Sequence, residues 1–188
     1  MKREALATEV ATVVESYIPH VRGDEADYHV LDIAAGTGIV SQALAGEGFN
    51  VTATDVSTKA LGALRQQSPT IATEQADMNQ GLPFADSSFD GATSVWANRF
   101  IADTPFFLEE VHRVLKEGGV FIWPIFPTEI PFWKKEQGLR QPTRPGKLSE
   151  LAQEAGFSGI KTVRRADIDD TAGKLPFHSR ANYLILTK

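Results

Sequence analysis

Three short apolar segments of this chain each run out in an aspartate, and the first is followed at once by a glycine turn and a helical pattern. Tyr28 to Ile33 carries Asp32 at its carboxyl end and leads into Ala34-Ala35-Gly36-Thr37-Gly38. Ile39, Val40, Ala43 and Leu44 then recur at helical spacing. Phe49 to Thr54 alternates as a second strand closing at Asp55, and a third strand over Ile71 to Ala76 reaches Asp77. Strand, tight turn and helix repeated in this order call for parallel strands, which need crossover helices and burial on both faces.

The rest of the chain extends the same grammar. Leu6, Val10, Val13, Val14, Tyr17 and Ile18 give an amphipathic N-terminal helix within residues 1–19, stopped by Pro19. Gly46 and Gly48 end the helix after the first strand, and Ser57 caps the next, which runs through Leu61 and Leu64 to Ser68-Pro69. A turn-rich stretch from Asn79 to Ser88 precedes a fourth strand over Gly91 to Trp96. A helix over Phe106 to Lys116 follows, terminated by Gly118-Gly119, and Val120 to Phe126 reads as a buried fifth strand. Residues 124–147 are rich in proline and read as a loop or lid. Leu148 to Ala155 is a short helix ending at Gly156. Lys161 to Ile168 and Ala181 to Thr187 are strands with no helix between them, hence an antiparallel pair at the sheet edge. The expectation is one α/β domain over residues 1–188, a doubly wound sheet with helices on both faces.

Composition narrows the partners. A net charge of −5 offers a phosphate backbone no overall attraction, so nucleic acid is not the expected ligand. The chain has no cysteine, which removes disulfides, thiolate metal sites and a thiol nucleophile; its four histidines show no metal-ligand spacing, and no metal is expected. Lys2, Arg3, Glu4, Glu9 and Glu15 interrupt the first segment, and no stretch approaches the roughly 20 apolar residues of a membrane span. The expected location is the cytoplasm.

The aspartates give the glycine turn its chemistry. A glycine turn after a strand serves several nucleotide cofactors, and in the dinucleotide fingerprint the position of the third glycine is occupied here by Ser41. Asp32 lies where a pyrophosphate would have to sit, and two negative groups at close range repel. S-adenosylmethionine instead presents an ammonium and a sulfonium there, while its carboxylate meets N–H groups at the helix start opened by Gly36 and Gly38. Asp55 stands where α/β nucleotide sites place a carboxylate for ribose hydroxyls, and Asp77 where a carboxylate accepts from the adenine amine. Each aspartate taken alone is equally well explained as a turn former.

The segment from Val30 to about Phe126 resembles the class I S-adenosylmethionine-dependent methyltransferases, in particular the small-molecule branch that includes ubiquinone and menaquinone biosynthesis enzymes. Val-Leu-Asp-Ile-Ala-Ala-Gly-Thr-Gly at 30–38 is similar to the first motif of that family, with Ala34 and Ala35 in place of its usual Gly and Cys. Thr54-Asp55-Val56-Ser57, Ala76-Asp77-Met78 with Leu82-Pro83-Phe84, Ser88-Phe89-Asp90, and residues 110–119 (Glu-Val-His-Arg-Val-Leu-Lys-Glu-Gly-Gly) continue the resemblance. It implies a Rossmann-like, seven-stranded, three-layer αβα sheet of order 3-2-1-4-5-7-6 with an antiparallel last strand. The cofactor contacts it implies are Asp32, Ala34, Gly36, Thr37, Gly38, Asp55, Val56, Asp77, Met78 and Trp96.

Strand-end geometry turns Trp96 to Arg99 toward the transferring methyl, with Asn98 and Arg99 as candidates for orienting an acceptor. Many relatives carry His-His-Leu where this chain has Asn98-Arg99-Phe100, so no histidine role transfers. Arg99, with Lys134, Lys135, Arg140, Arg144 and Lys147, suits an anionic small-molecule acceptor; the same charges also suit a solvated face. His178 as a base, and Phe132 and Trp133 as a lid, stay open. So do two other functions, a noncatalytic adenosyl-binding regulatory module and a nicotinamide-dependent oxidoreductase, as does the oligomeric state.

Overall fold

The computed structural model describes residues 3–18, 28–125, 145–164 and 182–188. The first helix, α1, spans Arg3–Tyr17, followed by β1 (His29–Ile33), α2 (Ile39–Gly46), β2 (Asn50–Asp55), α3 (Thr58–Gln67) and β3 (Ala72–Gln75). Then come β4 (Phe89–Thr93), a single 3₁₀ turn (Asn98–Phe100), α4 (Thr104–Val114), β5 (Leu115–Ile125), α5 (Pro145–Glu154), β6 (Gly159–Arg164) and β7 (Asn182–Thr187). The seven strands form one sheet of order β3-β2-β1-β4-β5-β7-β6. β1 to β5 are parallel, and β7 lies antiparallel to both β5 and β6, as the sequence pattern requires.

Alternation along the strands sorts the core into two layers. Val30 in β1 and Tyr183 and Ile185 in β7 pack with Leu6 and Val10 of α1 and with Val40 and Leu44 of α2. Leu31 and Ile33, with Leu184 and Leu186, turn the other way, against Phe107, Leu108 and Val111 of α4 and Leu148 and Ala152 of α5. Each layer buries one apolar face of the sheet, the chief favourable term in folding. Local chemistry sets the helix starts: Ser57 Oγ accepts the Ala60 N–H at 3.2 Å, and Asp103 Oδ1 accepts the Phe106 N–H at 3.2 Å ahead of α4.

Three boundaries differ from the sequence reading. α4 begins two residues before Phe106, at the Asp103-Thr104-Pro105 cap, and stops at Val114, well short of the glycine pair. Gly118 and Gly119 lie inside β5 instead, where the pairing with β4 jumps from Phe89↔Leu115 to Gly91↔Val120. The extra residues loop out there, with Gly118 at φ +75°, and the Gly118 N–H and Gly119 carbonyl both bond Lys188. β4 ends at Thr93, three residues before Trp96, because the chain turns out of the sheet and Trp96 adopts φ +60°. Most of the proline-rich segment (126–144) and the stretch 165–181 lie outside the described residues, and with them Phe132, Trp133, Lys134, Lys135, Arg140, Arg144 and His178. Among the described residues no helix is long and apolar enough to cross a membrane.

Candidate functional site

A cavity of about 630 Å³ opens at the carboxyl ends of β1, β2 and β4, where the strand order reverses direction. Its floor is the turn between β1 and α2. Asp32, paired with Ala53 and Thr93 in the neighbouring strands, is 1% exposed. Its Oδ2 accepts a hydrogen bond from Ser41 Oγ at 2.6 Å, donated by the first turn of α2. Burial pushes the Asp32 carboxyl up to about 7, against the lowering effect of the Ser41 bonds and with a further small push from Asp55. A carboxyl poised in this way at a cavity wall gains most from a cationic ligand, which stabilises its ionised form.

The turn is held in shape from β2. Ala35 N–H donates to the Thr54 carbonyl at 2.8 Å, and Gly36 N–H donates to Asp55 Oδ2 at 2.8 Å. Asp55 Oδ1 takes the Ser57 N–H at 2.9 Å, so one carboxylate ties the glycine turn to the start of α3. Each of its oxygens still has a lone pair for a ribose hydroxyl. Ala34, Gly36 and Gly38 have φ of +59°, +59° and +80°. A Cβ on Gly36 would meet no atom within 4 Å, whereas one on Gly38 would strike Leu64 at 2.3 Å. Gly36 therefore leaves its open side to a ligand, and Gly38 is glycine because α3 packs against it.

Nine of the ten residues expected at the cofactor, namely Asp32, Ala34, Gly36, Thr37, Asp55, Val56, Asp77, Met78 and Trp96, line this cavity, while Gly38 lies behind it. Asp77 sits two residues beyond β3, with Oδ1 accepting from the Asn79 N–H at 3.0 Å and Oδ2 from Gln80 Nε2 at 3.1 Å. Arg99 reaches the rim, its guanidinium 5.2 Å from the ring centroid of Phe100. Asn98 does not line the cavity, and its Oδ1 accepts from Trp123 Nε1 at 3.1 Å. Lys147 is engaged with Glu150 at 2.9 Å on α5. Asn79, Val95 and Phe100 also line the cavity without having been singled out from sequence. Phe100 was readable as the neighbour of Arg99; Asn79 carried no signal beyond following Asp77-Met78.

The wall beyond Asp77 is fixed from α4. All five guanidinium N–H groups of Arg113 are used: Nε and Nη2 go to Glu110, Nη1 to the Phe84 carbonyl and Asp86, and Nη2 also to the Leu82 carbonyl. Glu110 Oε2 in turn accepts the Leu82 N–H at 2.7 Å, and the Arg113 bonds hold the Glu110 carboxyl below its ordinary range.

These residues fit S-adenosylmethionine: a buried acid for the cationic part, an open glycine turn for the amino-acid part, and Asp55 for the sugar. A family model described as a methyltransferase domain matches residues 31–123. Over 170 aligned residues the chain is 31% identical to a demethylmenaquinone methyltransferase of Symbiobacterium thermophilum, covering 69% of this chain and 68% of that one. With the demethylmenaquinone methyltransferase of Paenarthrobacter aurescens it shares 38% identity over 106 residues, 56% of this chain and 42% of that longer protein. Among solved structures, an S-adenosylmethionine-dependent methyltransferase from Mesorhizobium loti superposes with a TM-score of 0.68 at 19% identity, covering 94% of this chain and 96% of that one. By its matched domain, its relatives and its sheet, the chain belongs to the S-adenosylmethionine-dependent methyltransferases.

Proposed function

We propose that this protein transfers a methyl group from S-adenosylmethionine to a small-molecule acceptor that carries a negative charge. The observation that carries the donor half is the buried Asp32, which lines the cavity beside an open glycine turn. When bound, S-adenosylmethionine supplies a methyl already activated by its positive sulfur. The chain's own task is binding and alignment. Asp32 neutralises the cationic part of the ligand, the Gly36 turn and the start of α2 receive its carboxylate, and Asp55 takes the sugar. Val56, Met78 and Asp77 form the adenine side, and Trp96 closes the cavity toward the acceptor. Holding the acceptor in line with the methyl removes much of the entropy cost of a two-body reaction.

The acceptor half rests on Arg99, an exposed cation on the cavity rim. The demethylmenaquinone methyltransferase relatives support a small-molecule acceptor. Titration calorimetry with S-adenosylmethionine and S-adenosylhomocysteine tests the donor half: binding that D32N abolishes is expected, and no affinity for either compound by the folded wild type overturns it. Once a turnover assay is in hand, R99A tests the acceptor half; an unchanged KM for the acceptor counts against the negative charge.

A further inference from the structure

Two loops frame the mouth of the cavity, and one side chain joins them. Asn79 Nδ2 donates to Asp77 Oδ1 at 3.1 Å on the adenine side and to the Phe100 carbonyl at 3.1 Å across the mouth. Its Oδ1 accepts the Ala102 N–H at 2.8 Å. Two of its four hydrogen-bonding positions are therefore spent on bridging segments more than twenty residues apart, and a third holds Asp77 on its own side.

The far loop depends on such ties. Phe100 is 60% exposed, so burial does not hold its ring, and Arg99 beside it is exposed as well. The turn is anchored on its core side by Trp123 Nε1 to Asn98 Oδ1, and internally by Phe100 N–H to the Ala97 carbonyl at 2.7 Å. On its cavity side the Asn79 amide supplies the tie. The near loop is held independently: Asp77 is bonded by the Asn79 backbone and Gln80, and the chain beyond it is clamped by Arg113. Removing the Asn79 side chain thus leaves each loop its own anchors, and the buried Met78 and Ile101 their shared apolar cluster, and deletes the hydrogen bonds that join the loops. The bonds are at the surface and each contributes little to global stability, which separates a positioning role from a merely structural one.

We infer that Asn79 is a positioning residue that couples the adenosyl side of the cavity to the Arg99–Phe100 wall, so that filling the adenosyl side orders the wall the acceptor meets. This rests on the methyltransferase reading, and coupling of this kind is reciprocal: an ordered wall also tightens the adenosyl side.

The wall contains its own reporter, the exposed Arg99–Phe100 peptide bond within the 3₁₀ turn, where trypsin cleavage is expected to require the turn to open. The experiment follows cleavage at that bond by mass spectrometry, with and without saturating S-adenosylhomocysteine, in the wild type, N79A and N79D. Calorimetry establishes saturation, and thermal unfolding reports global stability. In the wild type the ligand is expected to slow cleavage about tenfold, the effect of roughly one to two surface hydrogen bonds gained in order. In N79A the slowing falls to less than about twofold at saturation with Tm little changed, because a single lost tie of this kind is what separates the loops. N79D keeps an acceptor for Ala102 but has no N–H for Phe100, so it loses protection as well and carries the test if N79A does not fold. Equal protection in wild type and both variants, or no protection in the wild type despite binding, overturns the role of Asn79 and leaves the methyltransferase reading standing. A wild type that does not bind S-adenosylhomocysteine overturns both.

Discussion

Ser41 Oγ donates a 2.6 Å hydrogen bond to Asp32 Oδ2 in a site that water does not reach. That single bond does not offset the burial of the carboxyl, which is left near neutrality at about 7. The folded protein therefore binds a proton at Asp32 more tightly than the unfolded chain does. The stability linked to this proton is fully present below the ordinary aspartate range and is lost as pH rises through about 7. D32N, which can still accept from Ser41, is expected to unfold at higher denaturant than the wild type at pH 8, by about 2–4 kcal/mol, and to show no advantage at pH 4. Equilibrium urea unfolding at the two pH values checks this, and equal gains at both would contradict it.

Ligand binding follows the opposite slope. A cationic ligand prefers ionised Asp32, so the affinity for S-adenosylhomocysteine, whose ammonium persists across this range, is expected to rise as pH is raised from 6 to 8. Calorimetry at matched ionic strength measures it, and D32N removes the trend together with most of the binding.

Asp55 accepts one backbone N–H on each oxygen, from Gly36 and from Ser57. An amide offers only one acceptor oxygen, so D55N must orphan one of these donors or set its NH₂ against it. The expected result is at least about tenfold weaker ligand binding, with a loss of about 1–3 kcal/mol in stability. Unfolding of the ligand-free variant and calorimetry with S-adenosylhomocysteine separate the two effects.

Ala34 and Gly38 test the turn from opposite directions. Ala34 adopts φ +59°, a conformation that disfavours a side chain, so A34G is expected to gain about 0.5–1 kcal/mol after the added freedom of the unfolded glycine is subtracted. G38A combines φ +80° with a Cβ placed 2.3 Å from Leu64 and is expected to lose 2 kcal/mol or more, on the order of an overpacked core. A Tm that falls in A34G or holds in G38A would contradict this account.

Arg113 and Asp86 share an ion pair of 2.8 Å yet differ in consequence. Asp86 is three-quarters exposed, and D86A is expected to cost less than about 1 kcal/mol. R113A removes every bond of the guanidinium at once, takes the Arg113 donors from the Leu82 and Phe84 carbonyls, and leaves Glu110 without its countercharge, at a cost of about 2–4 kcal/mol. Thermal unfolding of both variants is the check.

How far the sequence carried this structure is decided by range. Asp32, Asp55 and the glycine turn were legible because strand ends, turn chemistry and the helix after them are written within a dozen residues of one another. The antiparallel β6–β7 pair was legible for the same reason, from two strands with no helix between them. The start of α4 is written in the cap residues Asp103 and Pro105, whereas the apolar spacing alone begins only at Phe106. The loop-out at Gly118-Gly119 was not, because its shape is set by Lys188 and by the register of β4. The bend at Trp96 and the reach of Asn79 to Phe100 also depend on where distant loops meet, which local pattern does not encode.

Tyr183 in β7 donates its hydroxyl to Glu9 of α1 at 2.6 Å, inside the core and across 174 positions of sequence. This bond between α1 and the sheet therefore forms only once the strand made from the far end of the described chain has slotted between β5 and β6. During synthesis α1 and α2, whose Leu6, Val10, Val40 and Leu44 share one apolar layer, leave the ribosome long before β7 exists. A nascent chain halted before residue 182 would lack Tyr183 and Ile185 and leave that part of the apolar layer open to whatever holds unfinished chains in the cell.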